Sequence, residues 1–143
     1  MEGTSDSIRK NLILNGFIFL TNTFFLGTGL GNIEHYMKFF STYYVGEIVN
    51  AHNWWMEVLI SSGVVIFILY LKLYGNTMLK LLKGIKPQNG KNVFWIRCVF
   101  LSLLVGFVIS SVGPSSLIGC EWFWPLIALT FKAPFITENQ KLT

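Results

Sequence analysis

The sequence predicts an all-α protein that is embedded in a membrane. Of its 143 residues, 52% are hydrophobic and 13% are charged, and the mean hydropathy is +0.54. A typical soluble domain carries about 25% charged residues. The apolar residues are gathered into long runs, and four of the nine lysines lie in one short loop between two of these runs. These observations favour a polytopic helical membrane protein over a soluble domain.

Three apolar segments are predicted to be transmembrane helices, at about residues 54–73, 93–112 and 117–131. A span needs about 20 residues, so the third segment must use flanking residues or lie in a protein-packed setting. Tryptophans fall at the predicted span ends on one side, as in an aromatic belt: Trp54, Trp55, Trp122 and Trp124.

A fourth hydrophobic stretch, residues 12–30, is long enough to span but is interrupted by asparagine, threonine and glycine. Apolar residues favour insertion by only about 0.3–0.6 kcal/mol each, so these interruptions offset much of the gain. Two alternatives stay open: a fourth transmembrane helix, or a helix on the outer face. The glycines of Leu26–Gly31 lack the third glycine and the strand-to-helix context of a dinucleotide loop. They are more typical of a turn that ends a helix.

The distribution of charge predicts the orientation. The loop between the first two spans is expected to be cytoplasmic because cytoplasmic loops are enriched in lysine and arginine; it carries Lys80, Lys83, Lys86 and Lys91. Residues 1–53 then form an extracytoplasmic segment, residues 54–131 the membrane helices and residues 132–143 a cytoplasmic tail. The same clustering explains the net charge of +4, so no nucleic-acid partner is expected.

Polar groups at the entry to the first predicted span are the main candidates for a site. His52 can act as a general base near neutral pH, or it can be an interfacial histidine beside the tryptophans. Asn53 can bind substrate or cap the span. Glu57 lies four residues later on the same helical face. A carboxylate one turn inside a membrane is costly unless it faces a site.

Arg9 is a candidate for phosphate binding because a guanidinium matches phosphate oxygens in a bidentate manner. The alternative is a basic N-terminal tail held inside by the charge rule. Asp6 is the single aspartate of the chain, so a DxD metal motif is impossible. A transferase that uses a metal-bound nucleotide-sugar is therefore disfavoured, and neither a metal nor another cofactor is predicted.

In their order and spacing, these motifs resemble the O-antigen ligase and polysaccharide polymerase family. Arg9 is followed by a hydrophobic helix and by the other motifs of the resemblance: Leu26-Gly27-Thr28-Gly29, His52-Asn53-x-x-x-Glu57, Ser62-Gly63 and Glu121-Trp122-Phe123-Trp124. The resemblance covers residues 5–131 and concerns the C-terminal part of the family, whose members have many more spans.

The resemblance implies a metal-independent membrane glycosyltransferase of the bacterial cytoplasmic membrane. Such an enzyme transfers a glycan from undecaprenyl diphosphate to a glycan acceptor, in cell-surface polysaccharide biosynthesis. It implies that His52 activates the acceptor hydroxyl and that Arg9 binds the diphosphate. Asn53 and Glu57 would support the substrate.

Nine lysines against two arginines hint at an AT-rich, Gram-positive source, which favours a polymerase over a ligase. Other membrane subunits are conceivable partners that would supply the missing spans. The alternative hypothesis is a non-enzymatic small membrane accessory protein, or an inactive fragment.

Overall fold

The computed structural model describes residues 4–50, 53–86, 90–112 and 123–139, and the regular secondary structure of these residues is helical. The helices are α1 (Ser5–Asn22), α2 (Ile33–Phe40), α3 (Trp54–Lys83), α4 (Lys91–Ser110) and α5 (Phe123–Asn139). Within the described residues, α3 and α4 are long and apolar enough to cross a membrane, and α5 is a shorter apolar helix. The all-helical prediction is confirmed for these residues, and the third span stays a prediction.

The first helix differs in its bounds from the predicted segment 12–30. It starts at Ser5, because the side chain of Thr4 accepts a hydrogen bond from the Ser7 nitrogen and caps the helix. It ends at Asn22, where the nitrogen of Thr23 donates to the Phe19 carbonyl at 3.0 Å. The glycines that follow are therefore in a loop, and whether α1 crosses the membrane stays a prediction.

The last helix extends beyond the predicted end of the third span at residue 131. It continues to Asn139, through most of the predicted tail, and it holds Pro134 in its interior. Ala133 and Thr137 are buried, and the Thr137 hydroxyl donates to the Ala133 carbonyl at 2.9 Å. Burial of this face explains why the helix continues past the apolar run. Residues 113–122, the first part of the predicted span included, lie outside the described residues.

The chain divides into two compact units, and the first comprises residues 1–69 and 111–119. Its core joins α1, α2, the loop after α2 and the start of α3: Leu12, Phe19, Leu20, Ile33, Met37, Val45 and Ile60. Phe19 and Tyr36 meet edge to face, with ring centroids 5.4 Å apart. Gly16 lies directly against the Ile60 side chain, and a Cβ atom there would overlap it. This close approach is what allows α1 to pack on the start of α3.

The second unit comprises residues 70–110 and 120–143 and contains a buried arginine. Arg97 of α4 is 1% exposed, and its Nη1 donates to the Lys80 carbonyl of α3 at 3.0 Å. Its Nε and Nη2 atoms are buried without a hydrogen-bond partner. The guanidinium lies over Gly84, where a Cβ atom would overlap it. Arginine is tolerated here because it bonds to the carbonyl-rich end of α3.

Candidate functional site

The Gly-rich loop that follows α1 has an unusual backbone. Phe24 and Phe25 have φ angles of 51° and 62°, in the left-handed region that L-residues rarely adopt. Gly27 and Gly29 follow with φ angles of 88° and 90°. A run of such residues persists only when the surrounding structure holds it in place.

Helix α3 is broken in its third turn, and the Gly-rich loop pairs with the break. Gly63 has φ 81° and ψ 171°, which is not helical. On one side of the break, the nitrogens of Thr28 and Gly29 donate to the carbonyls of Ile60 and Ser61 at 2.9 and 3.0 Å. On the other side, the nitrogen of Val64 donates to the Phe25 carbonyl at 3.0 Å. The loop thereby satisfies backbone groups that the break would otherwise leave unpaired.

The pairing requires glycine on both sides. A Cβ atom on Gly27 would lie 2.5 Å from the Gly63 nitrogen, and one on Gly63 would lie 2.5 Å from the Leu26 carbonyl group. The structure thus brings together two motifs that are more than thirty residues apart in sequence. The break itself was not predicted, although Ser61-Ser62-Gly63 holds the Gly and Ser pair at which helices kink.

Asn53 caps α3, which is one of its two predicted roles. Its Oδ1 accepts hydrogen bonds from the nitrogens of Trp55 and Met56 at 3.0 and 3.2 Å. Its carbonyl accepts from the Glu57 nitrogen at 2.9 Å. The amide oxygen is therefore committed to the helix end, and only the NH₂ group remains to meet a substrate. Glu57 is 4% exposed, so its carboxylate lies inside the first unit.

The structure does not bring the two predicted catalytic residues into a measured contact. His52 lies outside the described residues, as does Glu121. Arg9 is exposed on α1, about 20 Å along the helix axis from its C-terminal end and the Gly-rich loop. Its neighbour Ile8 is close to Gly46, where a Cβ atom would lie 3.9 Å from Ile8 Cδ1. Arg9 is thus at the end of α1 that contacts the loop leading to His52.

Two asparagines of α1 hold that loop: Asn15, which interrupts the apolar run of residues 12–30, and Asn11, which precedes this run. Asn15 is fully buried, its Nδ2 donates to the Tyr43 carbonyl at 2.8 Å, and its Oδ1 accepts from the nitrogens of Thr42 and Tyr43 at 2.9 Å. Asn11 Nδ2 donates to the Tyr44 carbonyl at 2.7 Å. In the parts of the chain that the structure describes, no three His, Cys, Asp or Glu residues are grouped as a metal site requires.

The described residues define the class of this protein: an all-helical chain with two helices that can cross a membrane. The chain is similar to the teichuronic acid biosynthesis protein TuaE of Bacillus subtilis (strain 168), with 28% identity over 137 residues. The aligned region is 96% of this chain and 28% of that protein, so the chain spans less than a third of its relative. No family model matches the chain. No solved structure matches it.

Proposed function

We propose that the chain is part of a membrane glycosyltransferase that polymerises undecaprenyl-diphosphate-linked glycans in cell-surface polysaccharide biosynthesis. The observation that carries this proposal is the similarity to a teichuronic acid biosynthesis protein along 96% of the chain. The two apolar helices support a membrane location. The placement of Arg9 at the end of α1 next to the loop that leads to His52 is compatible with a shared site.

The reaction is a substitution at the anomeric carbon of the lipid-linked glycan. The acceptor hydroxyl oxygen forms a bond to that carbon, and the bond from the carbon to the diphosphate oxygen breaks. His52 takes the proton of the hydroxyl as general base. Arg9 neutralises charge on the departing undecaprenyl diphosphate. The amide hydrogens of Asn53 hold a sugar hydroxyl, whereas Glu57, which is buried inside the first unit, is assigned no sugar contact.

The test is complementation of a gene deletion in the native host, with the polymer and the lipid-linked intermediates separated by gel electrophoresis. His52→Ala, which removes the general base, and Arg9→Ala, which removes the cation at the leaving group, are each expected to reduce polymer by about 10²-fold or more at an unchanged protein level. The matched controls are His35→Ala, which removes the other histidine, exposed on α2, and Lys10→Ala, which removes the exposed cation beside Arg9.

The lipid-linked intermediate that accumulates in a defective strain distinguishes a polymerase from a ligase. A polymerase defect leaves single repeat units on undecaprenyl diphosphate, whereas a ligase defect leaves long polymer on it. Normal polymer in the His52→Ala strain would refute the enzymatic role. If the variant instead loses its co-purification with other membrane proteins, the accessory role holds.

A further inference from the structure

The first unit contains an open cavity that none of the roles above uses. It has a volume of about 490 Å³ and lies between the end of α2 and the loop that follows. Met37 and Val45, 0% and 4% exposed, line its apolar floor. Lys38, Tyr44 and Glu47 are exposed and line it together with Ser41. Pockets for small ligands have this size and this mixture of apolar surface and a few polar groups.

The loop after α2, which forms one side of the cavity, is fixed to α1 by side-chain hydrogen bonds. Asn15 and Asn11 make four hydrogen bonds to the backbone of residues 42–44, all between 2.7 and 2.9 Å. The side chain of Tyr44 nevertheless projects outward and is 64% exposed. A fixed backbone that presents an exposed aromatic ring is preorganised for binding, because little conformational entropy remains to be lost.

The chemistry of the cavity fits a carbohydrate. A sugar presents an apolar face of C–H groups, which an exposed tyrosine ring can cover, and a rim of hydroxyls that both donate and accept hydrogen bonds. Lys38 supplies donors, Glu47 supplies acceptors and Ser41 supplies both. Lys38 and Glu47 are both exposed, and the Lys38 ammonium also lies 5.5 Å from the centroid of the Phe39 ring. An acyl chain or an apolar helix would leave these charged groups without partners.

We propose that this cavity, lined by Met37, Lys38, Ser41, Tyr44, Val45 and Glu47, binds a short stretch of the glycan acceptor, with a sugar ring stacked on Tyr44. This inference rests on the proposed function, because it assigns a place to the acceptor of that reaction. The cavity holds the acceptor glycan by its sugar rings, and it is formed by α2 and the loop that precedes His52 in the sequence. Because this subsite holds the acceptor and takes no part in bond formation, its loss is expected to shorten the polymer without preventing its formation.

The test measures binding and polymer length separately. The probe is the host's own surface polysaccharide, freed of lipid and cut to oligosaccharides of a few repeats, titrated into the purified full-length protein by calorimetry. Tyr44→Ala is expected to weaken binding by about tenfold, and Tyr44→Phe, which keeps the ring, to change it little. The matched control is Tyr43→Ala, because Tyr43 is its neighbour on the same clamped loop and does not line the cavity.

In the complemented strain, Tyr44→Ala is expected to shorten the polymer while polymer is still formed. Equal affinity of the wild type and of Tyr44→Ala for the oligosaccharide would overturn the cavity as a glycan site. So would a loss of affinity in Tyr43→Ala as large as that in Tyr44→Ala. Either outcome would leave the proposed function intact. Failure of the proposed function has a different signature, which is normal polymer in the His52→Ala strain. Binding that is lost in Tyr44→Ala alongside unchanged polymer length would also overturn the acceptor role.

Discussion

Gly27 and Gly63 are packed backbone to backbone, so that a Cβ atom on Gly27 would lie 2.5 Å from the Gly63 nitrogen. This contact joins the loop after α1 to the break in α3. Non-helical backbone at membrane depth is tolerated where it is buried in protein or lines a cavity. The break in α3 meets the first condition, because Ser61 and Gly63 are buried and the loop supplies hydrogen-bond partners to the interrupted helix.

The first prediction concerns these glycines. Gly27→Ala and Gly63→Ala should destabilise the protein strongly, because each combines a strained backbone angle with a collision. Gly31→Ala is the matched control, since Gly31 has a similar φ of 82° but open space around it. Gly31→Ala should lower the free energy of unfolding only by the cost of the left-handed backbone angle, about 1–2 kcal/mol. Thermal unfolding in detergent measures the difference, and equal losses in all three variants would contradict the close packing.

The second prediction separates the two roles of Asn53. Asn53→Ala should lower stability by about 1 kcal/mol through loss of the cap. Asn53→Ser should restore the cap, because a serine hydroxyl accepts the same backbone hydrogen bonds. If polymer formation follows stability in both variants, capping is the whole contribution of Asn53. Full stability without polymer in Asn53→Ser would show that its amide hydrogens meet the substrate.

The third prediction concerns the sidedness of α1. The contacts of Asn11 and Asn15 with residues 42–44 place the start of α1 beside the loop after α2. Single cysteines in place of the exposed Asp6 and Thr42, in a background that lacks Cys98 and Cys120, should therefore both react with an impermeant thiol reagent applied to intact cells. Labelling at Thr42→Cys alone would mean that Arg9 and His52 lie on opposite sides of the membrane.

The fourth prediction is a coupling between Arg97 and Gly84. Gly84→Ala should be strongly destabilising, because the added Cβ would overlap the guanidinium. Arg97→Met should cost little or even stabilise, since two buried nitrogens of the guanidinium have no hydrogen-bond partner. In the Arg97→Met background, Gly84→Ala should be tolerated. Unfolding of the four proteins gives the interaction energy, and simple additivity of the two changes would contradict the contact.

The helical class follows from features that are local in sequence. The apolar runs are long enough for spans, and α4 lies within two residues of its predicted bounds. Helix α3 begins at the predicted residue but continues past the predicted end at residue 73 to Lys83, so Lys80 and Lys83 belong to the helix and not to the predicted loop. The cap at Asn53 could also be predicted, because an asparagine directly before an apolar helix satisfies the first free N–H groups. The end of α1 was placed too late, since the glycines and the two left-handed phenylalanines that follow it are set by the pairing with α3.

The sequence by itself determined that the chain is helical and has the composition of a membrane protein. It also determined which polar residues are candidates for a site, since hydropathy and helix capping depend on neighbouring residues. The tertiary structure alone decided that Gly27 meets Gly63, that Asn15 clamps the loop before His52, and that a cavity forms at Tyr44. The first two depend on hydrogen bonds or packing between residues about thirty positions apart, and the cavity is bordered by the loop that Asn15 holds. Such contacts leave no periodic signal in a single sequence. A polar residue or glycine that makes a long-range contact cannot be distinguished by sequence from one that makes none until its partner is known.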